Sequence, residues 1–221
     1  CSDRDWEEAR RPPEHVYGRK LTAGKDFLAE GILNQDTRCW GKLYRRTLLD
    51  GHFFREDYTI GEDMLFLWEA ARKAEWVSSS EYPGYCYYYN ENGTMLRPFR
   101  DSDIDQIRCW QLVLETICAE NEAAAGRRAN APYGPEVLQK AASILLISCM
   151  LTVGKFSMLP AGEKKKHAVL KEKCSHTVEE TLKTEGAYEK LDRGYRLKVS
   201  LYRRLPGLYI GLYGLLKKGK R

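Results

Sequence analysis

A chain of 221 residues, 43% hydrophobic, carries 36 Lys and Arg against 31 Asp and Glu, a formal net charge of +5. That length accommodates one domain or two small ones around a substantial core, and the composition is that of a globular protein. Seven scattered cysteines without a Cys-x-x-Cys pair, and four histidines without His-x-x-x-His spacing, argue against a disulfide framework or a structural zinc site. They point to a reducing compartment, the cytoplasm.

In chain order, 1–20 is polar, contains Pro12-Pro13 and reads as a connecting loop; its charged 2–14 stretch lacks the apolar centre of a signal peptide. A helix is expected from Thr22, with Phe27, Leu28, Ile32 and Leu33 on one face. After a polar break over 34–39, 40–50 forms a short amphipathic segment offering Trp40, Leu43, Tyr44 and Leu48 for packing. Gly61 closes the irregular 52–60 stretch. The spacing beyond it predicts a helix over 62–73 that buries Leu65, Phe66, Ala70 and either Leu67 or Trp68. Two short strands, 76–80 and 85–89, follow around Pro83-Gly84.

Beyond residue 100 the pattern is helical. The first helix, 101–124, places Ile104, Ile107, Trp110, Leu114, Ile117 and Cys118 on one face. The second, from 135 to 154, is apolar on nearly all sides; its uncharged 141–154 run is shorter than the roughly 20 residues of a membrane span and reads as a core helix. A charged third helix ends near Gly186, and a last stretch breaks at Pro206. The expected fold is α+β and mostly helical, divided into a mixed portion over 1–99 and a helical bundle over 100–221.

Gly61-Glu62-Asp63 puts two carboxylates in the first turn of a helix. Such residues suit the helix dipole and satisfy its free amides. A carboxylate held there also reaches into a cleft from a fixed backbone, as a general base removing a hydroxyl proton must. In Trp40-Gly41-Lys42-Leu43-Tyr44, the rings serve as core or cleft wall, and Lys42 faces an anionic group or solvent. Five tyrosines over 82–89 offer ring faces and hydroxyls to a carbohydrate, yet they equally suit a strand that buries them. Asp101-Ser102-Asp103 stands at a helix start and reads as capping, not as a metal site.

Taken together and in this order, the segments over about 20–98 resemble the acceptor-side half of family 2 inverting glycosyltransferases of GT-A fold. The resemblance implies a partial GT-A-like α/β portion followed by a C-terminal helical bundle. It implies Asp63 as catalytic base with Glu62 beside it, and Trp40, Lys42, Tyr44 and Tyr89 at the acceptor site. Gly41 stands where the family frequently has Asn. The family's apolar opening strand and Asp-x-Asp motif do not occur here. The nucleotide-sugar-binding half is therefore expected outside this sequence, and with it the Mg or Mn that stabilises the departing diphosphate. No cofactor or metal site is assigned to this chain.

The resulting expectation is part of an enzyme that moves a sugar from a nucleotide-sugar to a saccharide or lipid-linked acceptor with inversion, in bacterial surface polysaccharide synthesis. By itself the chain is expected to be inactive. The alternative is a non-catalytic interaction or membrane-peripheral module built on the same half-fold. The first reading predicts an open apolar face on 1–98, where a missing sheet docks or two copies meet as a homodimer. The second predicts a closed core and a polar surface there.

The charge is unevenly placed. Residues 193–221 hold nine Lys or Arg and no acid, which leaves 27 basic against 31 acidic groups in the rest. Within that tail, 205–216 is apolar nearly throughout, between Arg203-Arg204 and Lys217, Lys218, Lys220 and Arg221. Two readings stand: 203–221 lies on an anionic membrane surface at the inner face, or it docks on its own domain with a solvated basic end. Nucleic acid is not expected, because no binding motif accompanies the charge.

Overall fold

The computed structural model describes residues 18–82, 84–86, 88 and 97–218. The protein is α+β and mostly helical, with one two-stranded antiparallel sheet among the described residues. Two compact units divide the chain. The first takes the described residues up to Arg55 together with Asp63–Arg97, and the second takes Glu56–Glu62 with Pro98 onward.

In the first unit, β1 (Arg19–Ala23) pairs with β2 (Trp76–Ser80) in a register that sets Leu21 opposite Ser78 and Ala23 opposite Trp76. Alternation then places Leu21, Ala23 and Trp76 on one face and Thr22 and Val77 on the other. Thr22 is buried, whereas Leu21 and Trp76 are 63% and 57% exposed. The first strand corrects the expected loop over 19–20. Arg-Lys-Leu-Thr-Ala is too short and too polar to show a period, and its pairing comes from a segment more than fifty residues away.

The strand runs directly into α1 (Gly24–Glu30). Gly24 is obligatory at that junction: its N–H donates to Glu75 O at 3.1 Å, and a Cβ would lie 2.0 Å from Ala74 O. Phe27 and Leu28, with Ile32 and Leu33 from the 3-10 turn Ile32–Asn34, are all buried, as their spacing predicts. Helix α2 (Glu62–Lys73) has the predicted bounds, its first residue counted with the second unit. It buries Met64, Leu65, Phe66, Leu67, Trp68, Ala70 and Ala71, so both Leu67 and Trp68 are core.

Three further expectations are corrected in this unit. The 40–50 segment contains only a 3-10 turn, Arg46–Leu49, not a continuous amphipathic element, and Leu43 is fully exposed instead of packed. Tyr85, Cys86 and Tyr88 lie outside any strand, and Tyr82, Tyr85 and Tyr88 are exposed instead of buried. Cys86 is disulfide-bonded, whereas Cys39, Cys109, Cys118, Cys149 and Cys174 are free.

The second unit is a helical bundle. A 3-10 turn (Asp101–Ile104) leads into α3 (Asp105–Gly126), followed by α4 (Pro135–Ser157), α5 (Ala161–Lys166), α6 (Ala168–Thr181), α7 (Arg193–Arg204) and α8 (Pro206–Lys218). Helix α4 is central and touches α3, α6, α7 and α8. Its length and composition would allow it to cross a membrane, yet 61% of its most apolar window is buried within the protein. Helix α3 buries Ile107, Cys109, Trp110, Val113 and Ile117. The predicted face is therefore rotated: Ile104, Leu114 and Cys118 are only half-buried. Ile104 lies in the 3-10 turn ahead of α3, and within α3 Cys109 and Val113 are buried in place of Leu114 and Cys118.

Asp103 caps this start as expected, its Oδ2 accepting the Arg100 N–H at 2.8 Å while Oδ1 accepts from Lys155 at 3.0 Å. The single charged helix expected before Gly186 is two, α5 and α6, separated at His167. Helix α8 docks on α4 and α7 through Tyr209, Ile210 and Gly214.

Candidate functional site

In the first unit, the loop before α2 is fixed by aromatic packing around Phe66. Phe54 stacks on that ring at 4.3 Å, Tyr44 meets it edge-on at 5.5 Å, and His52 lies against it at 4.4 Å. His52 is buried with acceptors at both ring nitrogens, Phe66 O at 2.9 Å from Nε2 and Glu69 Oε2 at 3.2 Å from Nδ1. These contacts hold 40–54 against α2, on which Asp63 stands. Sequence reasoning missed His52 and Glu69. The two belong to no motif and are tied together only through the fold.

Asp63 is half-buried in the first turn of α2, where its Oδ1 accepts the Met64 N–H at 2.7 Å. Among the described residues its other oxygen has no partner. The carboxylate thus serves the helix end with one oxygen and presents the second. Tyr44 belongs to the same neighbourhood. Burial pushes its phenol up to about 12, and the negative groups of Cys39, Asp36 and Asp63 push the same way. Its hydroxyl donates to Cys39 O at 3.0 Å.

The remaining predicted residues are placed differently. Lys42 is half-buried and engaged, donating to Asp36 Oδ1 at 2.6 Å and to Arg38 O at 2.8 Å. It braces the loop and offsets one of the charges beside Tyr44. Trp40 stacks on Tyr85 at 4.7 Å, and the Arg38 guanidinium lies over the Trp40 ring, 5.2 Å from its centroid. Tyr89 lies outside the described residues. Asp36, Tyr44 and Asp63 are therefore brought together, with Lys42 attached through Asp36, and Trp40 forms a separate stacked platform.

Glu62 belongs to the second unit, as the last residue of a segment secured to α3. The Thr59 N–H donates to Asp105 Oδ2 at 2.9 Å, and Cys109 Sγ donates to Ile60 O at 3.3 Å. Arg108 donates to Asp105 Oδ1 at 2.8 Å and to Asp57 O at 3.2 Å, its guanidinium 4.4 Å over the Tyr58 ring. The hydrogen bond to Asp105 raises the guanidinium's already high pKa further. Gly61 adopts φ of +89°, and a Cβ there would lie 2.6 Å from Cys109 Sγ. Sequence reasoning missed Asp105, Arg108 and Cys109 as the residues that hold this segment. Only the polar Asp105 and Arg108 on an otherwise apolar helical stripe hint at it.

No group of three or more His, Cys, Asp or Glu gathers as a ligand set among the described residues. Asp101 pairs with His167 at 2.7 Å and Asp103 with Lys155, so the Asp-Ser-Asp letters serve structure. A shallow cleft of about 280 Å³ in the second unit, lined by Gln111, Glu115, His176, Thr177 and Glu180, contains none of the predicted site residues. No family model matches the chain, and neither a curated protein nor a solved structure matches it.

Proposed function

We propose that this chain is the acceptor-side part of an inverting, nucleotide-sugar-dependent glycosyltransferase, with a partial GT-A-like portion in its first unit and Asp63 as the general base. The observation that carries the proposal is the sheet of the first unit. One face of the β1–β2 ladder is open and bears Leu21 and Trp76, and Leu43 and Phe53 of the same unit are also exposed. Two strands with an uncovered apolar face form a marginal sheet, and such a face is ordinarily closed by another layer. A strand layer supplied by a nucleotide-sugar-binding half would close it.

The half-buried carboxylate of Asp63 supports the assignment, since one of its oxygens has no partner among the described residues. In the proposed reaction that oxygen takes the acceptor hydroxyl proton as the hydroxyl attacks the anomeric carbon, and the nucleoside diphosphate leaves from the opposite face. Glu62, next in the chain, contacts acceptor hydroxyls, and Trp40 with Tyr85 offers a stacked ring platform for a sugar face. Mg or Mn would be held by the donor half, at the departing diphosphate. Acceptors of lipid-linked saccharide type, at the cytoplasmic side of a membrane, belong to the same proposal.

The test is made on the chain extended by the residues encoded upstream of it. Asp63→Asn is expected to lower sugar transfer by about 10²–10⁴-fold while donor binding, measured by calorimetry, stays unchanged. Near-normal turnover in that variant overturns the base assignment. An encoded start immediately before this sequence overturns the whole reading. It would favour the second, a non-catalytic module, which draws support from the commitment of Lys42 to Asp36 and Arg38 within its own loop.

A further inference from the structure

Helix α8 has two apolar sides, and only one of them is covered. On the covered side Tyr209 and Ile210 are buried, and Gly214 comes so near α4 that a Cβ would lie 2.4 Å from Ser157 O. On the other side stand Leu208, Leu212, Leu215 and Leu216, between 44% and 72% exposed, with Leu205 just before the helix 52% exposed. Their spacing of three and four residues gathers them into one stripe. A helix that docks by one face ordinarily turns polar residues to water, whereas this one turns leucines.

Cations stand at both ends of the stripe. Arg203 and Arg204 are exposed at its start and Lys217 at its end, and Lys164 of α5 reaches within 3.7 Å of a Cβ built at Gly214. Arg203 is offset by Glu179 at 2.9 Å, but 193–221 itself contains no acid. The docked and interfacial readings of the tail are therefore compatible, because each uses a different side of α8.

We propose that the leucine side of α8 seats this protein on an anionic lipid surface, the helix lying in the plane of the interface. Leucines enter the acyl boundary and the flanking cations meet acidic headgroups. A second copy of the chain is a poorer occupant. It would bring an equally basic, acid-free segment against this one, and like charges repel. The inference stands on α8 alone and does not depend on the transferase reading.

Co-sedimentation of the full chain with vesicles tests it. Binding is expected to vesicles containing phosphatidylglycerol, weak or absent with phosphatidylcholine alone, and reduced by salt. Arg204→Ser and Lys217→Ser should each weaken it by about fivefold. The pair Leu212→Ser and Leu215→Ser should weaken it by about tenfold or more, with an unchanged thermal melt because both side chains are exposed. Equal binding by the leucine variant, or no binding to either vesicle, overturns the proposal. Leucine-dependent self-association without vesicle binding also overturns it, and would assign the stripe to a second copy.

Discussion

At Gly61 the backbone leaves no room for a side chain: φ is +89° and Cys109 Sγ would stand 2.6 Å from a Cβ. Gly61→Ala is expected to cost about 1–3 kcal/mol from the left-handed conformation and the clash together. A double-mutant cycle with Cys109→Ala separates the two, since only the steric part couples. Additive losses in denaturant melts would show that the backbone alone sets the requirement. Tyr44 carries a second residue-scale consequence. Its phenol is raised from 10 to about 12 by burial first and then by Cys39, Asp36 and Asp63. A folded-state pKa above the unfolded one means a contribution fully present below pH 10 that is lost as pH rises toward 12. Stability should fall over that window, and Tyr44→Phe should remove its share of the fall. Asp63→Asn should move the phenol down, and an unmoved Tyr44 titration would separate the two residues. The carboxylates of 62 and 63 were legible in the sequence because a Gly-acid-acid turn before an apolar helix is a local pattern. His52 was not, because the carbonyl and carboxylate it meets lie on α2, fourteen and seventeen residues onward.

Among the elements, α2 and α4 were legible with near-final bounds because each carries a long apolar run between clear stops. Strand β1 was illegible: five residues, two of them apolar, become a strand only when β2 arrives to pair with them. The face of α3 was misplaced for a related reason, since apolar residues border its stripe on both edges and the sequence does not tell which edge a neighbouring helix covers. Helix α7 offers a clean measurement at this scale. Asp192 Oδ1 accepts the Tyr195 N–H at 2.9 Å as its N-cap. Asp192→Ala should cost about 1 kcal/mol, and Asp192→Ser should restore most of it in thermal melts. Loss of equal size in both variants would assign the effect to something other than the cap. Helix α4 sits at the opposite extreme. Leu146 is fully buried on it, and Leu146→Ala should cost about 2–5 kcal/mol by leaving a cavity.

For the molecule as a whole, surface chemistry distinguishes the two units. The described free thiols divide into half-buried Cys39 and Cys118 and buried Cys109, Cys149 and Cys174. Burial raises Cys149 well above the usual thiol range and Cys174 to about 12. A thiol reagent should therefore label Cys39 and Cys118 in the folded protein and reach the other three only in denaturant; rapid native labelling of Cys149 would contradict the central place of α4. An apolar dye should bind the first unit through the open face of its ladder. Leu21→Ser should reduce that fluorescence without lowering the melting temperature. The resemblance made such a face an expectation, but composition alone did not, since exposed and buried apolar residues look the same in a sequence.

The boundary between the units is crossed after residues 55, 62 and 97, so each unit is assembled from separated stretches of chain. During synthesis this imposes an order. Residues 56–62 leave the ribosome well before α3, whose Asp105, Arg108 and Cys109 are their partners, and must wait unpaired while 63–97 is made. Translation pauses placed between residues 62 and 105 would lengthen that wait, and with it the exposure of the nascent chain to proteases and chaperones.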